Sequence, residues 1–469
     1  MVLADLTAGD WLVLARHELL LFAATFFLIG ALDEIALDLT YLWMRLSGRA
    51  RTVRIDEAEL RARPLAGLCA VFIPAWREPG VIAATIGHAL AVWPQSELRV
   101  YVGCYRNDPA TLAAAIAGCR GDPRVRIVIH GRAGPTCKAD CLNRLYRALE
   151  DDEARAGARA RMVVLHDAED MVDPAALALL DAALAHADFV QLPVIALPQA
   201  GSPLVAGHYS DEFAESHAKA MVVRSALGQG IPGAGVGCAI AREWLGRLSA
   251  GQGRTGPFAA GSLTEDYELG LQIAALGARA QFLRARTSDG RLIATRSYFP
   301  CSMPAAIRQK TRWLHGIALQ GWDRLGWRGS PVALWMQLRD RRGPLAALLL
   351  AIAYGLLAVG ALEWGLARAG IGRGVPVSPA MEALLAANVA ALLWRLAVRA
   401  LFTAREFGPT QGLLAIPRVV VSNTVAIVAA RRALVAYVRA LRGARIAWDK
   451  TEHTGHPAAP LAPLRAGAG

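Results

Sequence analysis

Apolar positions along this chain fall into two patterns. Toward the ends they run together. Residues 17 to 46 hold an apolar core from Leu19 to Leu32 followed by a mixed tail, 344 to 369 is apolar almost throughout, and 379 to 403 is apolar until Arg395 and Arg399. A bilayer needs about 20 apolar residues for one helix. The segment 344–369 meets that comfortably and 379–403 meets it, with its two arginines four apart and able to snorkel to an interface. The N-terminal run is of about minimum length and reads as a membrane anchor. A fourth apolar stretch, from Gly412 to Trp448, is interrupted by Pro417, Arg418, Ser422 and Asn423 and rich in arginine in its second half. That pattern predicts a helix lying in the interface rather than a span.

In the middle, from 47 to 343, short apolar runs alternate with helical patterns. LAGLCAVFIPAW, ELRVYVGCY, RVRIVIHG and RMVVLHDAED read as four strands, separated by helical segments from Pro79 to Trp93, Thr111 to Ala117 and Lys138 to Glu150. Strands spaced by helices of this length predict an α/β unit with a mostly parallel sheet covered on both faces. In such sheets ligands bind beyond the carboxyl ends of the strands.

Composition sharpens this picture. With 469 residues the chain exceeds the roughly 250 to 300 that one core usually serves, so several units are expected: an anchor (1–50), an α/β domain (51–343), two transmembrane helices (344–403), an interfacial helix with a polar tail (404–455) and a disordered end (456–469). The residues are 54% hydrophobic and the formal net charge is +12. A basic, apolar chain suits a multi-pass protein of a bacterial inner membrane with its arginine-rich middle and tail on the cytoplasmic side. Seven cysteines without a C-x-x-C pair favour neither a disulfide framework nor a zinc site. Nothing suggests a nucleic-acid partner.

Candidate chemistry sits at strand and helix ends. RMVVLHDAEDMVDP puts Asp167, Glu169, Asp170 and Asp173 just past an apolar run. Carboxylates at a strand end can hold a hard divalent cation, although a solvated acidic turn would read the same way. LTEDYELGLQIAALG offers Thr264 as an N-cap, Glu265 and Asp266 in a first helical turn, and Gly277 as a C-cap; capping and the helix dipole alone would favour those acids. In QKTRWLHG, Gln309, Arg312 and Trp313 fall on one helical face. An amide, a guanidinium and an indole suit a pyrophosphate beside a sugar ring. The stretch IPGAGVGCAIAR would let backbone approach a ligand closely, but its spacing is no nucleotide fingerprint.

PAWREP (74–79), DAED (167–170), TED (264–266) and QxxRW (309–313), in that order and followed by apolar spans, resemble the family 2 glycosyltransferases of the processive synthase type. With AWDKTEHTG near the C-terminus, the closer likeness is to the branch of the phage-adsorption protein B type. The resemblance implies a GT-A fold, with Pro74, Ala75 and Glu78 lining the nucleotide pocket and Lys138 approaching the nucleotide. It implies Asp167 and Glu169 as ligands of Mg²⁺ or Mn²⁺ on the donor diphosphate, and Asp266, beside Glu265, as the general base. Gln309 and Arg312 would hold the pyrophosphate and Trp313 would stack on the acceptor sugar. Where the family commonly carries an acidic pair for the base, this chain has Gly103 and Cys104, with Asp108 the nearest carboxylate. In the tail, Trp448, Lys450, Thr451 and His453 could fold back over the site as a gate, or form a polar surface segment.

The expectation is a membrane-embedded, inverting glycosyltransferase that moves a hexose or HexNAc from a UDP-sugar to a growing exopolysaccharide, in a homo-oligomer or with an export partner. Two rivals stand beside it: transfer of a single sugar to a lipid phosphate carrier, and a non-catalytic membrane assembly factor.

Overall fold

The computed structural model describes residues 7–251, 256–371, 377–443 and 455–458. The apolar runs of the middle section form one seven-stranded sheet of β1 (Cys69–Pro74), β2 (Leu98–Tyr105), β3 (Val125–His130), β4 (Met162–Leu165), β5 (Phe189–Gln191), β6 (Cys238–Ala241) and β7 (Ala280–Phe282). Its order is β3-β2-β1-β4-β6-β5-β7. The first four strands are mutually parallel; β6 runs antiparallel to both its neighbours, and β5 and β7 pair in parallel.

The helices used below are α1 (Ala8–Leu46), α2 (Ile82–Val92), α3 (Pro109–Cys119), α4 (Lys138–Ala156), α5 (Gly207–Glu215), α6 (Glu265–Ala275), α7 (Met303–Trp313), α8 (Pro331–Arg341), α9 (Gly343–Arg368), α10 (Pro379–Phe407) and α11 (Pro409–Leu441). Strand alternation sends Val71 and Ile73 of β1 to one face, where α2 and α3 cover them, and Ala70 and Phe72 to the other, under Leu142, Leu145 and Leu149 of α4. Both faces are dry, which is why the strands read as continuous apolar runs. Each fully buried Val, Leu or Phe contributes about 1.5–3 kcal/mol.

From β1 the chain winds outward through β2 and β3 and then returns to place β4 on the other side of β1. The winding reverses between β1 and β4, so a crevice opens at their carboxyl ends. Pro74 closes one strand and Asp167 follows the other by two residues.

Among the described residues four helices, α1, α9, α10 and α11, are long and apolar enough to cross a membrane, and most of each apolar stretch is not buried inside the protein. α11 corrects the sequence expectation. The stretch read as an interrupted interfacial helix is one helix of 33 residues that continues through Pro417, with a mean hydropathy of 1.9 in its best window. Its polar residues mark an inward face: Arg418 is 1% exposed and reaches Asp211 of α5 at 2.8 Å. α10 gives a second correction. Arg395 and Arg399 turn inward to Glu215 at 2.8 and 3.1 Å, and Arg395 also meets Glu34 of α1 at 3.0 Å, instead of snorkelling outward.

Candidate active site

The acidic turn after β4 sorts its carboxylates by exposure. Asp167 and Glu169 are half-buried and line a cavity of about 1100 Å³. Asp170 and Asp173 are buried and spent on structure. Asp170 accepts from the Asp167 amide at 2.9 Å and from the Ser297 hydroxyl at 2.6 Å, and it meets His166 Nδ1 at 3.0 Å. Asp173 is ion-paired with Arg291 and Arg296. Asp170 is therefore a brace for the turn.

Across the cavity, the first turn of α6 presents Glu265 and Asp266. Lys138, at the start of α4, stands between the two acidic groups, 2.6 Å from Asp167 Oδ1 and 3.8 Å from Glu265 Oε1. Burial raises both helix carboxyls above their usual range, and the Lys138 charge opposes the rise. The charge of Asp167 adds to it at both, that of Asp266 adds to it at Glu265, and Glu265 is pushed up to about 7. The lysine, desolvated but faced by three carboxylates, is held above its ordinary value. Asp266 is the half-buried member and Glu265 the buried one, so Asp266 is the more accessible to a substrate.

The glycine-rich stretch 231–237 serves this geometry. Gly235 has φ +77°, and a Cβ there would lie 2.4 Å from Asp266 Oδ2 and 3.2 Å from Lys138 Nζ. Its close approach is thus to the carboxylate and ammonium, while its neighbours Gly233 and Ala234 line the cavity. Gly277 follows α6 with φ +97°, as its C-cap role requires. Thr264 occupies the N-cap position without capping; its hydroxyl is buried with no hydrogen-bond partner and the residue lines the cavity.

Gln309, Arg312 and Trp313 of α7 reach the same cavity, as their spacing predicts. The Gln309 amide oxygen is buried without a partner. Trp313 sits edge-on to Tyr209, Phe213 and Phe299, with centroids 6.1 to 6.4 Å away, and Lys310 Nζ lies 4.7 Å over its ring. Beyond Trp313 the helix widens into a π-helical segment, Leu314–Gln320, whose Gln320 side chain accepts from the Leu263 amide at 3.1 Å. The loop before α6 is thereby tied to the element after the tryptophan.

On the β1 side, Pro74 and Glu78 line the cavity, whereas Ala75 is packed into the core and does not. Gly103 pairs with Pro74, and a Cβ there would lie 2.5 Å from Cys141 Sγ of α4, so an acidic side chain has no room at this place. Asp108 is engaged too: it accepts from the Arg77 amide at 2.6 Å and from the Thr111 amide at 3.3 Å, as the cap of α3. An aromatic cluster that the sequence did not show as a unit stands here. Trp76 lines the cavity and packs edge-on to Tyr105 at 5.0 Å, and Tyr105 stacks on His130 at 5.0 Å. Three separate strand ends supply them, so PAWREP holds Trp76 but nothing local joins it to Tyr105 and His130.

Trp448, Lys450, Thr451 and His453 lie outside the described residues. The composition that predicts disorder from residue 456 onward misses His456, which is 2% exposed and 3.0 Å from the Asp170 carbonyl oxygen. Among the described residues no three His, Cys, Asp or Glu side chains form a ready metal cage. A pair of half-buried carboxylates facing a cavity is nonetheless the donor set suited to Mg²⁺ or Mn²⁺, which take one or two carboxylates and complete their shell with substrate phosphates and water.

Comparison with known proteins supplies the remaining evidence. The family model described as "Glycosyltransferase like family 2" matches residues 66–316. Bacteriophage adsorption protein B of Escherichia coli K12 is 32% identical over 465 residues, covering 92% of this chain and 61% of that protein; bacteriophage N4 adsorption protein B of Escherichia coli O157:H7 gives the same figures. The chain thus spans 61% of the length of these curated relatives. Among solved structures, a mannosyltransferase from Pyrobaculum calidifontis in complex with GDP-Man and Mn²⁺ aligns with TM-score 0.45 and 18% identity, over 82% of this chain and 97% of that one. Glucosyl-3-phosphoglycerate synthase from Mycobacterium tuberculosis, in complex with Mn²⁺, UDP and phosphoglyceric acid, aligns with TM-score 0.34 and 19% identity, over 56% of this chain and 83% of that one.

Proposed function

Because the chain belongs to the glycosyltransferase-like family 2, we propose that it is a membrane-embedded enzyme that transfers a sugar from a nucleotide-sugar donor to a growing exopolysaccharide, with inversion at the anomeric carbon. The observation that carries this reading is convergence. Asp167 and Glu169 from a strand end, Glu265 and Asp266 from a helix start, and Gln309, Arg312 and Trp313 from a third element face one cavity beside four apolar helices.

Division of labour follows from position. Asp167 and Glu169 would hold Mg²⁺ or Mn²⁺, and the cation, when bound, supplies positive charge to the departing nucleoside diphosphate. Arg312 adds a forked cation for the pyrophosphate and Gln309 an amide hydrogen bond. Asp266 takes the proton of the acceptor hydroxyl as its oxygen attacks the anomeric carbon and the bond to the diphosphate breaks. A base that burial holds above the usual carboxylate range suits that task, since it is a stronger base than an ordinary carboxylate. Lys138 keeps the cluster of carboxylates from discharging one another. Trp313 offers its face to the acceptor ring. The four apolar helices support a membrane setting for the acceptor, and the distribution of arginine supports a catalytic unit on the cytoplasmic side.

The test uses the full chain in membranes with a panel of labelled UDP-sugars and Mn²⁺ or Mg²⁺, following released UDP and high-molecular-weight label in wild type and Asp266→Asn. High-molecular-weight label from one donor, lost in the variant, supports the reading. Short, non-accumulating product points instead to single-sugar transfer, and no donor turnover in folded protein removes the enzymatic reading.

A further inference from the structure

The backbone of the acidic turn is held from outside by side chains. The carbonyls of Ala168, Val172 and Asp173 engage Thr85 Oγ1, His88 Nε2 at 2.9 Å and Trp93 Nε1 at 3.0 Å. These three residues come from α2 and its C-terminal cap, a single rigid element beside the turn. The carbonyl of Asp170 is held differently. Its partner is His456 Nε2 at 3.0 Å, 286 residues away and beyond the last membrane helix. The Ala458 amide donates to His456 Nδ1 at 3.1 Å. A carbonyl on one nitrogen and an amide on the other fix the ring as the neutral tautomer with its proton on Nε2. At 2% exposure the ring is clamped rather than resting on the surface. Its contact falls on the carbonyl of the residue directly after Glu169, one of the two carboxylates assigned to the cation.

We propose that His456 is a positioning residue for the cation: by holding the Asp170 carbonyl it fixes the direction of the Asp167 and Glu169 side chains, so that the C-terminal segment completes the cation site without touching the ion. This rests on the functional reading above. Groups that orient metal ligands from behind typically govern affinity by about 10- to 100-fold.

The test measures Mn²⁺ binding to the full chain in nanodiscs from the EPR signal of free Mn²⁺, at fixed UDP and with binding by UDP alone subtracted. Asp167→Asn/Glu169→Gln defines the background. His456→Ala is expected to weaken Mn²⁺ binding about tenfold, and His456→Gln, which keeps an N–H near the place of Nε2, to restore most of it. His456→Phe fills the ring volume without the donor and answers the same question if the alanine variant does not fold. Wild-type affinity in the folded Ala or Phe variant, even with a lowered melting temperature, would overturn the proposal and leave His456 a structural peg. Wild-type binding no greater than that of the double variant would instead remove the cation assignment itself, and the proposal with it.

Discussion

The carboxylate of Asp211 and the guanidinium of Arg418 meet at 2.8 Å, with 2% and 1% of their side-chain surfaces exposed. One belongs to the middle unit and the other to the last long helix. The arginine also donates to the Pro203 carbonyl at 2.6 Å and to the Gln411 side chain. Even so, burial pushes the Asp211 carboxyl up to about 6 against the lowering effect of Arg418. Arg418→Met leaves a buried acid without its cation, a change that costs about 3–5 kcal/mol. Thermal unfolding in detergent should show it, and Asp211→Asn/Arg418→Met should recover a large part, because the unpaired charge goes with its partner.

Gly207 tests the same joint sterically. A Cβ at this position would lie 2.3 to 2.6 Å from the Arg418 guanidinium, which is itself anchored and cannot swing aside freely. Gly207→Ala should therefore lower the melting temperature, by a shift comparable to Arg418→Met. A melting temperature equal to wild type would show that the joint is looser than its burial indicates.

The pair Glu265 and Asp266 sets the expected pH profile. Both carboxyls are raised and the base must be ionised, so kcat/KM should fall as pH drops through an apparent pKa, belonging to the pair, that lies above the usual carboxylate range. Lys138 lowers both values. Its replacement in Lys138→Met should move the acid limb to higher pH, whatever it does to the plateau rate. A limb that stays in place would remove Lys138 from the electrostatics of the base.

Removing the base itself should be severe. Asp266→Asn keeps the shape and the loop contacts but cannot accept a proton, which predicts a loss of about 10² to 10⁴ in kcat, with donor binding preserved. Equilibrium binding of UDP separates the two effects.

Gly235→Ala places a methyl group against both Asp266 Oδ2 and Lys138 Nζ at a backbone angle that alanine adopts at a cost of about 1 kcal/mol or more. Transfer activity should fall at least tenfold while the sheet, whose core lies on the other side of the strands' ends, keeps the protein folded by circular dichroism.

Much of this was legible from periodicity. The runs that become β1, β2 and β4 are buried on both faces, so they appear as nearly uninterrupted apolar segments, and the helices between the strands carry one apolar side. The site was legible because its residues cluster at element ends: Asp167 and Glu169 after a strand, Asp266 in a first helical turn, Arg312 and Trp313 on one helical face. What escaped was set by distant contacts. Arg418 looked like a reason to lay α11 on the membrane surface, because its partner Asp211 is 207 residues away. Asp170 was indistinguishable from the other carboxylates of the acidic run, because nothing local shows that Ser297 and the Asp167 amide occupy its oxygens. Trp76, Tyr105 and His130 meet only once three strands lie side by side.

The acidic half of α1 bears on how the molecule is made. Asp33 is paired with Arg339 and Arg342, Glu34 with the same two and with Arg395, and Asp38 with Lys219. Every one of those cations leaves the ribosome long after α1 does, Arg395 by 361 residues. The charges of α1 are therefore balanced only long after it is made, and its final seat exists only once α10 has been synthesised. A reporter fused to a chain cut before Arg339 reads the placement of an unfinished helix, so the orientation of this protein is properly read only from fusions beyond α10.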